Sequence, residues 1–305
     1  MDDSGVTVRA GARLHLGLVK TGDGPDFVSA GLSLASPVLK VNVSWRETGA
    51  KSGPAMAIKA AEAALKNFGV KDKVSIRIIE DLPRHFGLGS GTRLALSSAA
   101  AAIKLAGKRM EVLKVAKLTG RGKRSAMGSV LFAKGGVAAD MEGQIVRTAA
   151  PMGWRVALIT PLPHAGDRGG ANGFQEEMAL ANVASIKGKA REDAADAAVA
   201  CIVGGASMGD FSLFSEGVST LQRIAARKYG PLQGGPASTV NGRAILRKLV
   251  REGWAACGQS SWGPLIFAVA PSIKDAGSLQ ESACSWKEVS DVNIVRISNS
   301  GRLFL

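Results

Sequence analysis

The sequence predicts an α+β fold built in two halves. Strand-like segments with alternating apolar residues come first, helical segments fill the centre, and two apolar strands come late. Elements that segregate in this way are typical of an α+β architecture, because a doubly wound parallel sheet would need strands and helices to alternate. The 305 residues, 46% of them hydrophobic, suffice for a proper core. We place the boundary near residues 149–153, which gives domains of residues 1–150 and 151–305.

Most elements of the first half follow from apolar periodicity. Residues 6–19 alternate around a glycine-containing bend, so they predict one or two strands. Residues 55–68 place apolar side chains on one helical face, with Gly69 as the predicted C-cap. Further strands are predicted at 38–45 and 74–79 and in a hairpin of 137–141 with 144–147, and further helices at 92–106, 111–118 and 125–132.

The second half is predicted to be mostly helical. Residues 154–160 are an apolar run before Pro161, which predicts a buried strand, and the late strands are predicted at 265–270 and 292–297. The helices between them are predicted at 175–186, 192–203, 211–229 and 240–252.

The composition restricts the partners of the protein. A net charge of +14 favours nucleic acid, acidic lipid or polyanionic small molecules, unless the lysines only keep the surface soluble. With one tyrosine, 5% aromatic residues and no aromatic-rich RNA motif, we expect a phosphate-rich substrate and no nucleic acid.

The compartment is predicted to be the cytoplasm. The polar N-terminus has no apolar core of a secretory signal, and the longest small-apolar run, residues 94–106, is too short and polar to span a membrane. Three cysteines without a C-x-x-C pair argue against a disulfide framework or a structural zinc site.

A glycine-rich loop between a strand and a helix is the most informative motif. Its glycines let the backbone approach a ligand, its hydroxyls add hydrogen bonds, and the next helix presents free N–H groups and its positive dipole end. This predicts an anion cradle, and the alternative is a tight turn that needs glycine for steric reasons. It matches neither a Walker A loop nor a Rossmann fingerprint. The predicted contacts are Gly87, Leu88, Gly89, Ser90, Gly91 and Thr92.

Two further polar glycine loops are candidate binding segments. In residues 119–125, a basic loop before a helix, Arg121, Arg124 and Ser125 could hold phosphate or carboxylate, or the loop could simply be exposed. The other loop, residues 257–264, precedes an apolar strand and either lines a site or is a turn whose serines bind their own backbone. Its candidate residues are Gln259, Ser260 and Ser261.

Together, these segments resemble the GHMP kinases (galacto-, homoserine, mevalonate and phosphomevalonate kinases). Pro83-x-x-x-Gly-Leu-Gly-Ser resembles their phosphate loop, residues 9–17 resemble their N-terminal substrate strand, and the loop at 258–264 lies where their C-terminal glycine motif falls. The resemblance implies the two-domain GHMP-kinase fold, with a ribosomal-protein-S5-domain-2-like N-terminal half and a ferredoxin-like α/β C-terminal half.

Within that superfamily the chain resembles the β-ribofuranosylaminobenzene 5′-phosphate synthase family. The matching segments are residues 12–17, 87–96, 120–128 and 135–136 with Asp140, of which Gly-Leu-Gly-Ser-Gly-Thr is the most specific. GHMP kinases with a catalytic Asp carry it about one helix before a Gly-Gly pair, and no carboxylate lies between Arg121 and Gly135. An ATP-dependent small-molecule kinase is therefore the second enzyme hypothesis, and a basic nucleic-acid-binding protein is the hypothesis from another class.

The resemblance implies a reaction and a set of partners. Phosphoribosyl pyrophosphate would combine with 4-aminobenzoate or 4-hydroxybenzoate to give a C-riboside 5′-phosphate, CO2 and pyrophosphate, in the biosynthesis of tetrahydromethanopterin, a one-carbon carrier. It also implies a homodimer and Mg²⁺ that enters with the diphosphate, because no acidic cluster predicts a metal site made by the protein.

The resemblance also implies roles for individual residues. The glycine loop would hold the diphosphate, and the basic loop the second phosphate or the benzoate carboxylate. Arg13 and His15 alternate on one strand and so share a face. Arg13 would hold a carboxylate or phosphate, and His15 would protonate the leaving group or orient the ring, unless His15 is structural. Asp140 would contact a metal or a ribose hydroxyl, or else be a capping or surface residue.

Overall fold

Two antiparallel sheets with flanking helices make up the described part of the chain. The computed structural model describes residues 5–24, 26–46, 53–165, 167 and 183–305. The strands are β1 (Val6–Lys20), β2 (Phe27–Trp45), β3 (Val74–Glu80), β4 (Val137–Met141), β5 (Gln144–Thr148), β6 (Arg155–Pro161), β7 (Cys257–Gln259), β8 (Ile266–Ala270), β9 (Val289–Arg296) and β10 (Leu303–Phe304). The helices are α1 (Ala55–Lys66), α2 (Ser90–Leu105), α3 (Val112–Leu118), α4 (Met127–Lys134), α5 (Lys189–Asp196), α6 (Gly204–Met208), α7 (Phe211–Gln233), α8 (Val240–Arg251) and α9 (Ile273–Cys284), with a π-helical segment, Ala197–Val203, between α5 and α6.

The first sheet positions the site. Its strand order is β10-β1-β2-β4-β5, and β3 also pairs with β2. The long β1–β2 hairpin changes register between Gly11 and Arg13 and again between His15 and Gly17, so the strand is irregular on both sides of His15. Helix α2 packs on β1 and β2, and the π-helical segment packs on β4.

The second sheet has the strand order β7-β8-β6-β9. Helices α8 and α9 cover it through a cluster that includes Ile245, Leu249 and Leu279. The main hydrophobic core contains residues from both sheets, including Leu14 of β1 and Phe267 of β8. The C-terminal strand β10 returns to the first sheet, where Val8 pairs with Phe304. The division into domains at residue 150 stays a prediction.

Most predicted elements are present, and the differences have physical reasons. Strand β2 begins at Phe27, well before the predicted residue 38, because all of residues 27–34 are buried and so show no alternation. Helix α9 was not predicted; Ser272 caps it by accepting a hydrogen bond from the Asp275 backbone N–H at 3.1 Å. The short strands β7 and β10 were also not predicted. The helix predicted at 175–186 lies mostly outside the described residues.

Within the described ranges, no helix combines the length and the apolarity that crossing a bilayer requires.

Candidate active site

The three glycine loops meet around one cavity of about 700 Å³. It opens beside β1, at the N-terminus of α2, and its other walls are the basic loop before α4 and the turn after β7. A volume of this size suits a small, highly functionalised ligand. The predicted site residues that line it are Arg13, His15, Gly87, Gly89, Ser90, Gly91, Thr92, Arg121, Arg124, Ser125 and Ser261.

Close backbone packing holds the glycine loop in place. The Arg13 backbone N–H donates to the Leu88 carbonyl at 3.1 Å, and the Ser260 hydroxyl donates to the Gly87 carbonyl at 2.9 Å. Gly87 has a φ of +83°, and a Cβ there would lie 2.0 Å from the Ser260 carbonyl oxygen. Only glycine therefore lets the loop approach the turn after β7 so closely.

The N-terminus of α2 faces this cavity with free donors. Gly89 is the N-cap residue, in the left-handed conformation, and no side chain caps the helix. The first backbone N–H groups of a helix have no intrahelical acceptor, and the helix dipole is positive there. Ser90, Gly91 and Thr92 supply this first turn and line the cavity. This geometry is the one that the predicted anion cradle requires.

The cavity wall carries far more positive than negative charge. Among the described residues of the wall, Asp81 is the one acidic side chain, and it pairs with the Arg84 guanidinium at 3.5 Å. The described wall thus offers a single carboxylate, and that carboxylate is already paired with an arginine. The cations of the wall are Arg13, Arg84, Arg121, Lys123 and Arg124.

His15 is buried at the edge of the cavity and is kept neutral. Only 6% of its surface is exposed. Burial lowers the pKa of His15 well below 6.5, and the nearby guanidinium groups of Arg13 and Arg124 lower it further. A neutral imidazole can orient a ligand through a hydrogen bond, but it is a poor proton donor to a leaving group near pH 7. The structure therefore favours the orienting role over protonation of the leaving group.

Arg93, which the sequence analysis did not single out as a site residue, lies buried beneath the cavity. It is 1% exposed, and burial together with the nearby Arg13 lowers its pKa to about 9. Its Nη1 donates to the Gly128 carbonyl at 3.2 Å, and its guanidinium lies 5.7 Å from the Phe132 ring centre. Its Nε and Nη2 have no hydrogen-bond partner, and no carboxylate of the described residues pairs with it. Arg93 therefore adds an uncompensated positive charge below the anion cradle.

Asp140 supports the basic loop from behind. It is 1% exposed, so the surface alternative is wrong. Its Oδ2 accepts hydrogen bonds from the Ser125 hydroxyl at 2.9 Å and from the Ala126 N–H at 2.7 Å. Its Oδ1 accepts one from the Gly143 N–H at 2.8 Å. These contacts favour the capping role, and Asp140 does not line the cavity.

Three other predicted residues also support the site from outside the main cavity. Leu88 is buried in the core. The Ser260 hydroxyl accepts a hydrogen bond from the backbone N–H of His15 at 3.1 Å, in addition to its hydrogen bond to the glycine loop. The Gln259 side chain accepts from the Ser238 N–H at 2.6 Å and donates to the Ser261 carbonyl at 2.8 Å. Ser261 itself lines the cavity with a φ of +55°, a strained conformation for a residue other than glycine.

Several lining residues were not assigned to the site from the sequence. Asp81 and Arg84 come just before the glycine loop, and Trp262 directly follows Ser261. Their closeness in sequence to predicted site residues could have identified them as site residues. Met56 comes from the start of α1, and its sulfur accepts a hydrogen bond from Arg121 Nη2 at 2.9 Å. Nothing local in the sequence indicates that contact.

Comparison with known families supports the predicted superfamily. Residues 55–136 match the family described as GHMP kinases N terminal domain. This segment runs from the start of α1 to the Gly135–Gly136 pair, so it contains both the glycine loop and the basic loop.

Curated relatives share one name at low identity. The β-ribofuranosylphenol 5′-phosphate synthase of Methanocaldococcus jannaschii is 28% identical over 151 residues, which cover 44% of this chain and 46% of that protein. The protein of the same name from Archaeoglobus fulgidus is 27% identical over 137 residues, 44% of each chain. The aligned part thus spans less than half the length of these two relatives. A third, from Methanothermobacter thermautotrophicus, is 24% identical over 237 residues, 70% of this chain and 68% of that protein.

Solved structures of similar fold cover nearly the whole chain. Homoserine kinase from Cytophaga hutchinsonii superposes with a TM-score of 0.71 at 16% identity, covering 100% of this chain and 98% of that one. Mevalonate pyrophosphate decarboxylase from Streptococcus pyogenes superposes with a TM-score of 0.72 at 14% identity, covering 96% of each. The predicted α+β GHMP-kinase fold is confirmed.

Proposed function

We propose that this protein is a decarboxylating phosphoribosyl transferase. It would join phosphoribosyl pyrophosphate to 4-hydroxybenzoate or 4-aminobenzoate and release pyrophosphate and CO2. The observation that carries the proposal is the positive charge of the main cavity. Five cations and a helix N-terminus line it, and the one carboxylate among the described residues of its wall is paired with Arg84. The shared name of the curated relatives supports this choice of reaction.

The reaction balances without a redox partner. The bond between ribosyl C1 and the diphosphate oxygen breaks, and its electron pair leaves with pyrophosphate. The ring carbon that bears the carboxylate then bonds to C1. Finally the bond from that carbon to CO2 breaks, and its electrons restore the aromatic ring. The protein must therefore stabilise a polyanionic leaving group, align the ring and exclude water from the cationic sugar.

The residues of the cavity can meet these demands. The first turn of α2 and the basic loop, with Arg121 and Arg124, surround the position proposed for the diphosphate. Arg13 projects beside Gly89, since a Cβ on that glycine would lie 3.1 Å from Arg13 Nε, so its charge is close to the cradle. His15, held neutral, would orient the aromatic acid and would not protonate the leaving group.

The cavity does not fit a Mg²⁺ ion held by the protein alone. Among the described residues, no group of three or more His, Cys, Asp or Glu side chains could hold a metal. The one acid of the wall, Asp81, is paired with Arg84. In the proposal, Mg²⁺ is coordinated by the diphosphate and enters with it. We assign no step to the ion.

The kinase hypothesis keeps one specific support, the match of residues 55–136 to the GHMP kinases. It requires a group to activate the acceptor alcohol, and the one carboxylate among the described residues of the wall, Asp81, is paired with Arg84. It therefore ranks second.

The experiment is release of labelled CO2 from carboxyl-labelled 4-hydroxybenzoate and 4-aminobenzoate, with purified protein, Mg²⁺ and phosphoribosyl pyrophosphate. We expect CO2 and pyrophosphate in equal amounts, and a fall of about 100-fold in kcat/KM in Arg124→Ala, because a donor to the leaving group is lost. Arg109→Ala, which removes an exposed arginine outside the cavity, is the matched control and should keep full activity. No CO2 from either benzoate, with ATP-dependent phosphorylation of a small alcohol, would return the chain to the kinases.

A further inference from the structure

A second, smaller cavity adjoins the main one at His15. Its volume is about 40 Å³, and His15, Leu18, Ser261 and Trp262 line both cavities. The two are therefore neighbouring compartments with a shared wall. A single water molecule needs about 10–15 Å³ of such space, so the cavity has room for a small substituent and the ring edge that carries it.

The chemistry of the smaller cavity is the opposite of that of the larger. Among the described residues, its wall contains no Asp, Glu, Lys or Arg, and burial lowers the pKa of His15, so the wall carries no charge near neutral pH. Tyr229 and Trp262 contribute aromatic surface, with ring centres 5.8 Å apart and an interplanar angle of 59°. Apolar and aromatic walls with few polar groups are typical of sites for aromatic ligands.

Glutamine side chains supply the polar groups of this wall, and their hydrogen bonds fix their orientation. Gln222 Nε2 donates to the Leu16 carbonyl at 2.9 Å and to the Gln259 carbonyl at 3.2 Å. Gln233 Nε2 donates to the Gly235 carbonyl at 3.0 Å.

The opposite ends of these two amides are acceptors. The Oε1 of Gln222 accepts from the Gln259 N–H at 3.3 Å, and that of Gln233 accepts from Gln259 Nε2 at 3.1 Å. A carbonyl oxygen has two lone pairs, so each can accept one more hydrogen bond. The wall is thus suited to a neutral group that donates hydrogen bonds.

We propose that the smaller cavity, which we call the acceptor cavity, binds the para substituent of the aromatic acid. The proposal rests on the proposed function, from which it takes the acid as substrate. It assigns specificity for a para amino or hydroxyl group to the wall formed by Tyr229, Trp262, Gln222 and Gln233. The ring would lie at the junction beside His15, and its carboxylate would face Arg13 and the main cavity.

The reaction itself demands this orientation. The carbon that bonds to ribosyl C1 is the one that bears the carboxylate, so that end of the ring must face the phosphoribosyl donor in the main cavity. The para substituent lies at the opposite end of the ring and must point away. His15 lies in the walls of both cavities, and the arginines and lysines among the described wall residues line the main cavity alone, so the substituent would arrive in the acceptor cavity. A glutamine oxygen that accepts a hydrogen bond from the para group would also strengthen the donation of electrons to the reacting carbon.

The single tyrosine of the chain gives a direct probe, because Tyr229 lies in the acceptor cavity. Protein labelled with 3-fluorotyrosine should give one ¹⁹F resonance. Titration with 4-hydroxybenzoate, in the presence of pyrophosphate and Mg²⁺, should shift that resonance to saturation. Benzoate, which lacks the para group, should shift it less and bind more weakly. Pyrophosphate and Mg²⁺ alone should leave the resonance in place.

Filling the acceptor cavity tests the same point by kinetics. Ala226→Leu adds bulk to its wall and should raise KM for 4-hydroxybenzoate by about tenfold or more, as expected when a pocket loses the space of a small group. KM for phosphoribosyl pyrophosphate should stay within about twofold. Ser219→Leu places the same side chain on an exposed position of the same helix and should change neither constant. If Ala226→Leu does not fold, the ¹⁹F titration of the unsubstituted protein decides.

The two proposals fail separately. Turnover of 4-hydroxybenzoate with an unmoved ¹⁹F resonance, or with an unchanged KM in Ala226→Leu, would overturn the acceptor cavity and leave the proposed function standing. A saturable ¹⁹F shift without release of CO2 would leave the cavity standing and overturn the proposed function. Neither shift nor turnover would overturn both.

Discussion

Replacing Arg93 with methionine should stabilise the free protein and weaken its binding of pyrophosphate. Arg93 is 1% exposed, has no carboxylate partner in the described part of the chain, and leaves two nitrogens without hydrogen bonds. A buried charge of this kind costs folding free energy, and methionine of similar length would fill the same space without the charge. The same charge lies below the anion cradle, where it attracts a polyanion.

The size of the effect follows from the pKa. The fall in the pKa of Arg93 from 12.5 to about 9 corresponds to a cost of about 5 kcal/mol, at about 1.36 kcal/mol for each pKa unit. Because the folded-state pKa lies below that of the unfolded chain, the cost is complete at neutral pH and fades only as the pH rises from about 9 toward 12.5. Methionine would lose the hydrogen bond to Gly128 and the contact with Phe132, worth about 2–4 kcal/mol together. A net gain of about 1–3 kcal/mol remains.

The assay is a pair of measurements on Arg93→Met, namely urea unfolding without ligand and calorimetric titration with pyrophosphate and Mg²⁺. We expect a higher free energy of unfolding and a Kd for pyrophosphate about tenfold weaker, the equivalent of about 1.4 kcal/mol of charge attraction. Arg302→Met is the matched control, because Arg302 lies over the same Phe132 ring at 5.2 Å, but burial alone lowers its pKa, whereas the pKa of Arg93 also responds to Arg13 of the cavity wall. It should leave the Kd unchanged.

A loss of more than about 2 kcal/mol in Arg93→Met, with an unchanged Kd, would refute this reasoning, because it would show that the guanidinium is a satisfied part of the core.

Three further predictions test the supports of the site. The folded-state pKa of His15 lies below 6.5, so the unfolded chain takes up the proton first and the stability of the fold should fall as the pH drops below 6.5. His15→Asn should weaken this dependence of the melting temperature on pH in thermal scans. Asp140→Asn replaces an acceptor of three hydrogen bonds, so the free energy of unfolding should drop by about 2–3 kcal/mol and pyrophosphate should bind more weakly in calorimetry; an unchanged Kd would mean that the basic loop needs no such support. Gly87→Ala would place a Cβ 2.0 Å from the Ser260 carbonyl oxygen, whereas the Cβ of the control Gly69→Ala, also at a positive φ, would have nothing within 4 Å. In urea unfolding, Gly87→Ala should therefore lower the free energy of unfolding by at least about 2 kcal/mol more than Gly69→Ala. Equal losses would contradict the packing described.

The elements that the sequence predicts well are those whose signal is local. The hairpin of β4 and β5, the long central helices and the start of α2 after a glycine loop follow from periodicity and turn residues within a few positions. The alternation of Arg13 and His15 predicted that they share a face, and both line the cavity. The positive charge also predicted a polyanion, and the cavity wall is strongly cationic.

The sequence by itself thus determined the fold class, and it predicted the glycine loop before α2 and many of the residues that line the cavity around it. Only the tertiary structure decided which side chains face the ligand and which support the site, because that depends on contacts between distant segments. Ser260 is 173 residues from Gly87 and 245 from His15, yet its hydroxyl makes a hydrogen bond to the backbone of each. No local sequence pattern encodes these hydrogen bonds. The burial of Arg93 against Gly128 and Phe132, and the acceptor cavity that brings Tyr229 and His15 into one wall, likewise exist only in the folded chain, since burial is a property of the assembled core.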